Sequence, residues 1–249
     1  VKLLLEGTLI GPVPEKLFLF PLVLGFIVLP FFLKAMWPKK TKKSLVLKMI
    51  CSSFFLATGV LSAWGSQNKS AYAKLMLAGL FLGWLGDFLL HVKESEIYFL
   101  FGLISFLLGH VLFIAAFTFY AKQMGENSGI SLGFQILIFA VILAGMLIFW
   151  KLEKFNLSLA GLPVFAYTAV IVTMNVKAVN LGFALFAERG DLTAGLTVMV
   201  GAVLFLISDS LLAVFNFSER EKSYPLKIIN ILTYYLAQNL LACSLFLIK

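Results

Sequence analysis

Charge is what this sequence has least of: Asp, Glu, Lys and Arg make up 13% of its 249 residues, against about 25% in an average soluble domain. The apolar residues, 61% of the total, run along the whole chain instead of gathering in one core, which excludes a water-soluble globule. Cysteine is equally scarce. Cys51 and Cys243 both fall inside apolar runs and read as packed side chains, not as a disulfide framework. Histidine is limited to His91 and His110, a thin set for zinc, which usually takes three or four ligands. Serine-nucleophile motifs are missing. So is the basic surface interleaved with aromatics that a nucleic-acid partner would need. The connections between apolar runs are too short to hold a soluble domain.

What is present is a series of eight apolar runs, at about 17–37, 44–64, 72–91, 97–120, 130–150, 158–180, 192–215 and 227–247. Each reaches the roughly 20 residues that cross a bilayer. In hydrocarbon every backbone donor and acceptor must be paired within the protein, so such runs form helices; they are too long for barrel strands and lack their alternation. The fold class is therefore an all-α membrane protein, an eight-transmembrane-helix bundle forming one integral-membrane domain over residues 1–249. The first run lacks a nearby basic start and a small-residue cleavage site, and it reads as a span, not a cleaved signal. Basic residues crowd alternate connections: Lys34, Lys39, Lys40, Lys42, Lys43 and Lys48, then Lys93, then Lys151 and Lys154, then Arg220, Lys222 and Lys227. The positive-inside rule places those connections in the cytoplasm and both termini outside. A multi-pass protein of a bacterial inner membrane or its equivalent is expected. The lysine cluster suits anionic headgroups, so membrane lipids are the expected partners, with no nucleic acid and no obligate protein partner.

Aspartate occurs three times, as Asp87, Asp191 and Asp209. Two of the three interrupt apolar runs, and the stretches around them echo each other. "GDFLLHVKESE" at 86–96 aligns with "SDSLLAVFNFSE" at 208–219, and "LISFLLGHVLF" at 103–113 with "ILTYYLAQNLL" at 231–241, setting His110 opposite Gln238. A separation of four spans preserves orientation, so the echo predicts a parallel four-plus-four repeat. Burying an aspartate at a helix centre costs about 2.5–3.5 kcal/mol on insertion scales, so such residues face a cavity or a partner. Gly79, Gly83 and Gly86 share a face with Asp87, and Gly195 and Ala202 a stripe with Asp209. Small residues mark close helix contact, which turns both aspartates inward. Tyr167 and Asn175, eight residues apart in the sixth span, and Tyr234, Tyr235 and Gln238 in the eighth are candidates to line the same interior. Asp191, Glu188 and Arg189 read as a solvated outer loop, and Glu94, Glu96, Glu219 and Glu221 as solvated surface.

The combination "GD..L" at 86–90, "F..G..SF..GH" at 99–110, "P...Y......M" at 163–174, "GAVLF..SD..LA" at 201–213 and "TYY..Q" at 233–238 resembles the YhhN/lysoplasmalogenase family, from the third span to the last and with the same eight-span layout. The resemblance implies hydrolysis of the vinyl ether bond of lysoplasmalogens (lysoplasmenyl-ethanolamine or -choline), releasing a fatty aldehyde and glycerophospho-ethanolamine or -choline. It maps the family's polar positions onto Asp87, His110, Tyr167, Asp209, Tyr235 and Gln238.

A vinyl ether is opened by protonating its β-carbon, which leaves an oxocarbenium ion for water to attack. One acid and one anion suffice, as in the two-carboxylate logic of glycosidases. Asp87 and Asp209 are the candidate catalytic pair: close together in low dielectric they cannot both ionise cheaply, so one keeps a proton while the other stays charged. Which of them donates is open. His110, Tyr167, Asn175, Ser208, Tyr234, Tyr235 and Gln238 are the candidate substrate-binding residues, and lysines at the cytoplasmic rim suit the substrate's phosphate. No metal and no cofactor is called for. The alternative is a proton-coupled membrane transporter using the same aspartates, although the spans that carry them lack the proline of a broken helix.

Overall fold

The structure, a computed structural model, describes residues 14, 16–37, 39–92, 95–125, 128–156, 161–218 and 223–249. Its helices are α1 (Leu19–Ala35), α2 (Lys42–Gly65), α3 (Ala71–Val92), α4 (Glu96–Met124), α5 (Leu132–Leu152), α6 (Gly161–Arg189), α7 (Leu192–Phe217) and α8 (Tyr224–Leu247). Seven of them, α2 to α8, are long and apolar enough to cross a membrane, as an integral membrane protein requires. With 17 residues, α1 rises only about 25 Å at 1.5 Å per residue, just short of a hydrocarbon core of about 30 Å.

Local chemistry sets the helix starts. Thr41 and Ser44 form a reciprocal capping box at α2: Ser44 N–H donates to Thr41 Oγ1 at 3.0 Å and Thr41 N–H to Ser44 Oγ at 2.8 Å, pairing two donors that a helix start leaves orphaned. At α8, Ser223 accepts from Leu226 N–H and a proline occupies the first turn, where its missing N–H costs nothing. Asp191, expected to be solvated, instead caps α7 by accepting from Ala194 N–H at 2.9 Å.

The sixth span departs most from its expected bounds. It runs on to Arg189, nine residues past the predicted end at 180, so Glu188 and Arg189 are helical and not loop residues. Lys177 and Asn180 look like a polar helix end in sequence, yet both are satisfied by the start of α5. Lys177 Nζ donates to Gln135 Oε1 at 2.8 Å, and Asn180 Oδ1 accepts from Ile130 N–H at 3.0 Å. Gly182 continues the helix because α7 crosses it closely: a Cβ on Gly195 would lie 2.7 Å from the Gly182 carbonyl oxygen. Arg189 donates to Tyr120 OH at 2.7 Å. Glu96 is exposed in the first turn of α4, where a negative charge favours the helix dipole. Glu94, Glu219 and Glu221, with residues 158–160 of the predicted sixth span, lie outside the described residues.

The helices alternate in direction. At one end Trp37 packs on Tyr224, 5.4 Å between ring centroids, and Lys40 Nζ donates to Leu90 O at 2.9 Å. At the other, Ser66 and Asn68 donate to the Leu245 carbonyl at 3.1 and 3.2 Å. Helix neighbours correspond under a shift of four: α3 packs on α4 as α7 does on α8, α1 on α2 as α5 on α6, α2 on α3 as α6 on α7, and α2 on α8 as α6 on α4. Two contacts break the correspondence, because α8 also meets α3 and α1. By contrast α5 packs chiefly on α6, with Ser210 of α7 reaching its Met146, and among the described residues Trp150 is its one buried side chain.

Candidate active site

Asp87 sits five residues before the end of α3 and Asp209 eight before the end of α7, about 8 and 12 Å along the axis at 1.5 Å per residue. Both line one cavity of about 260 Å³ at the end of the bundle that carries Trp37 and Lys40. The glycine face of α3 turns Asp87 inward. A Cβ on Gly86 would lie 2.6 Å from the Phe106 ring of α4, and one on Gly83 would overlap the Gln238 amide of α8. Phe106 and Leu90, with Leu212 and Phe215 of α7, belong to the apolar part of the wall.

Asp87 is 2% exposed and fully engaged. Lys48 Nζ stands 2.9 Å from Oδ1 and 3.2 Å from the backbone oxygen of the same residue. Ser52 Oγ donates to Oδ2 at 2.6 Å, and Tyr234 OH to the same oxygen at 2.7 Å. A second layer holds these donors: Gln238 Nε2 donates to Tyr234 OH at 3.1 Å, and Tyr235 OH lies 3.1 Å from Ser52 Oγ. Charge-assisted bonds of this kind are about twice as strong as neutral ones, and a paired, multiply bonded charge is the form in which an ion tolerates an apolar interior.

Asp209 has a different set. Tyr167 OH donates to Oδ2 at 2.7 Å, and His110 Nε2 lies 3.1 Å from that oxygen and 3.1 Å from the tyrosine hydroxyl. The imidazole is fixed by an edge contact with Phe205, 4.7 Å between centroids. No lysine is paired with this carboxylate among the described residues. Each aspartate thus draws its donors from matching helices, Asp87 on α3 from α2 and α8, Asp209 on α7 from α6 and α4.

The predicted residues fall into three groups. Asp87, Asp209, Ser208, Tyr234 and Tyr235 line the cavity. His110, Tyr167 and Gln238 stand one layer behind, bonded to the lining groups. Asn175 is not brought to the site: it is buried, outside the lining residues, and its Nδ2 donates to Ile171 O of its own helix at 3.0 Å. Ser208 bonds to Asn230 across α7 and α8, Oγ to Asn230 O at 3.2 Å and Asn230 Nδ2 to Ser208 O at 2.7 Å, which pins the two helices beside Asp209.

Sequence reasoning missed Lys48, counting it among the loop lysines. It is inside α2, and its side chain is 13% exposed. Like-charge repulsion between the aspartates is therefore not the only influence on their charge, because a lysine already compensates Asp87. The available signal was the spacing Ser44, Lys48, Ser52, which at four-residue intervals shares one helix face. His91 was weighed only as a metal ligand. Among the described residues no group of three or more His, Cys, Asp or Glu side chains gathers as a metal site, and His91 Nε2 instead meets the buried Ser44 Oγ at 2.8 Å.

Comparison with known proteins bears on this site. The model of the YhhN family matches residues 43–245, which include every residue named at the two carboxylates. A curated relative from Dictyostelium discoideum, described as "Lysoplasmalogenase homolog", is 30% identical over 162 residues, 59% of this chain and 52% of the relative. The chain thus spans about half the length of that relative. No solved structure matches.

Proposed function

Because the chain belongs to the YhhN family, we propose that it is a membrane-embedded hydrolase that cleaves the vinyl ether bond of lysoplasmalogens to a fatty aldehyde and a glycerophospho-ethanolamine or -choline. The observation that carries this reading is the pair of differently partnered carboxylates on one cavity. The described name of the Dictyostelium relative supports the reaction class.

In the proposed mechanism the two aspartates divide the work by their partners. Asp87, ion-paired to Lys48 and bonded by two hydroxyls, is held as the anion that faces the developing oxocarbenium ion. Asp209, bonded among the described residues by Tyr167 and the imidazole of His110, delivers the proton to the β-carbon. That protonation converts the vinyl ether to the oxocarbenium ion. Water then adds to the cationic carbon and gives up a proton to Asp209, restoring its starting state. The hemiacetal collapses to aldehyde and glycerol hydroxyl without any covalent enzyme intermediate. General acid catalysis of this kind contributes typically about 10²–10⁴-fold. Tyr234, Tyr235, Gln238, Tyr167 and His110 act by positioning the carboxylates, and Ser208 by fixing α7 against α8.

The orientation belongs to the same proposal. The end that carries Lys39, Lys40, Lys42, Lys43, Lys151 and Lys154 is read as cytoplasmic, supported by the positive-inside rule, with the cavity in the cytoplasmic half. The four-plus-four repeat is proposed alongside, supported by helix neighbours and carboxylate donors that correspond under a shift of four. That correspondence also favours a proton-coupled carrier, and one experiment separates the two. Purified protein in detergent micelles, given lysoplasmenyl-ethanolamine, releases aldehyde if it is the hydrolase. Activity that requires a sealed vesicle, with no aldehyde formed, is the carrier's result.

A further inference from the structure

The cavity has a charged mouth that the acid–base chemistry does not use. Besides Lys48, which is bound to Asp87, its walls include Lys40 and Lys227. Lys40 stands just before α2 and is exposed, its ammonium anchored on the Leu90 carbonyl at 2.9 Å near the end of α3. Lys227 lies in the first turn of α8 and is half-buried, with Nζ 4.7 Å from the centroid of the Phe215 ring. Both lie within electrostatic range of the His91 ring, which also lines the cavity. The starts of α2 and α8 meet at the same mouth, and helix N-termini add partial positive charge there. The described lining thus includes three lysines and two aspartates.

We propose that Lys40 and Lys227 form the binding site for the phosphodiester anion of the lysolipid, fixing the headgroup at the mouth beside Phe215 while the chain lies deeper, toward Phe106. The spacing fits the chemistry. Lys227 and Tyr234, the donor on Asp87, are seven residues apart on α8, about 10 Å of axial rise. In a lysoplasmalogen the phosphorus and the vinyl β-carbon are separated by roughly 9 Å when the glycerol linkage is extended, from ordinary bond lengths. A phosphate held by the two ammonium groups thus places the reacting double bond at the depth of the carboxylates. This inference rests on the proposed hydrolysis for its substrate, but its own content is the recognition of an anion.

The test compares lysoplasmenyl-ethanolamine with an alkenylglycerol of the same chain and no phosphate. The Lys40→Gln/Lys227→Gln variant is expected to lose the wild-type preference for the phosphorylated substrate by about tenfold or more, through KM, as loss of charge-assisted bonds implies. Lys40→Arg/Lys227→Arg is expected to restore it. An unaltered preference overturns the proposal. Binding of a saturated ether lysophospholipid, which has no vinyl ether to cleave, gives a readout independent of turnover. It should weaken by a similar factor in the Gln variant even if the wild-type protein releases no aldehyde, so failure of the hydrolysis and failure of the anion site are distinguishable. Competition by glycerophosphoethanolamine but not by inorganic phosphate at equal concentration assigns the site to the lipid. Equal competition by both overturns that assignment.

Discussion

Asp87 and Asp209 occupy corresponding places in two corresponding sets of helices, yet their surroundings differ in one decisive respect. Around Asp87 stand a lysine, a serine and a tyrosine, with the carboxylate almost wholly buried. Around Asp209 stand a tyrosine and an imidazole, and its side chain is 12% exposed to the cavity. An ion pair in low dielectric is strong but costly to break, because the partner left behind is an uncompensated charge. Asp209 has no lysine partner among the described residues, so no ammonium is stranded when its side chain is replaced. On the proposed mechanism this difference separates a stabilising anion from a proton donor, as environment does in acid–base pairs.

The comparison can be broken at its strongest point by Asp87→Asn. That change leaves Lys48 without its counter-charge, so turnover should vanish and stability should fall by about 3–5 kcal/mol, read as thermal unfolding in detergent. The double change Asp87→Leu/Lys48→Met removes both charges and should recover most of the stability with none of the turnover. Next in size is Asp209→Asn. It should lower aldehyde release by about 10²–10⁴-fold with a smaller loss of stability than Asp87→Asn, since no lysine loses its partner among the described residues. Equal destabilisation by the two Asn variants would show that the environments do not differ as described. The smallest effects belong to the hydroxyl donors. Tyr167→Phe and Tyr234→Phe each remove the hydroxyl's bond to its carboxylate and a second contact, with His110 or Gln238, each bond worth about 1 kcal/mol, and each variant should slow turnover several-fold. In a cycle with Lys48→Met, the tyrosine on Asp87 should couple to the lysine, whereas the one on Asp209 should not.

The bundle was legible in the sequence because a chain with so little charge has few other ways to satisfy its backbone. Helix ends were less legible. Lys177 and Asn180 mark an apparent terminus in sequence but are paired sideways with α5, and only tertiary contacts reveal that α6 continues. The two aspartates stood out because an acidic side chain inside an apolar run is costly and demands a partner. Which partner it takes is another matter. Lys48 adjoins a run of loop lysines, and its mark in the sequence is the four-residue spacing with Ser44 and Ser52 on one helix face. Asn175 failed in the opposite way: the eight-residue spacing from Tyr167 does share a face, but it also shifts the side chain about 12 Å along the helix, beyond the cavity. Periodicity gives direction around a helix and says nothing of depth.

The most direct test of the account follows the transferred proton into the product. Purified protein in micelles is given lysoplasmenyl-ethanolamine in D2O, and the aldehyde is trapped at once by reduction and weighed by mass spectrometry. Protonation of the β-carbon predicts one deuterium on the carbon next to the former carbonyl in every product molecule, with the yield collapsing in Asp209→Asn. Aldehyde released without that deuterium, or released undiminished by Asp209→Asn, would contradict it.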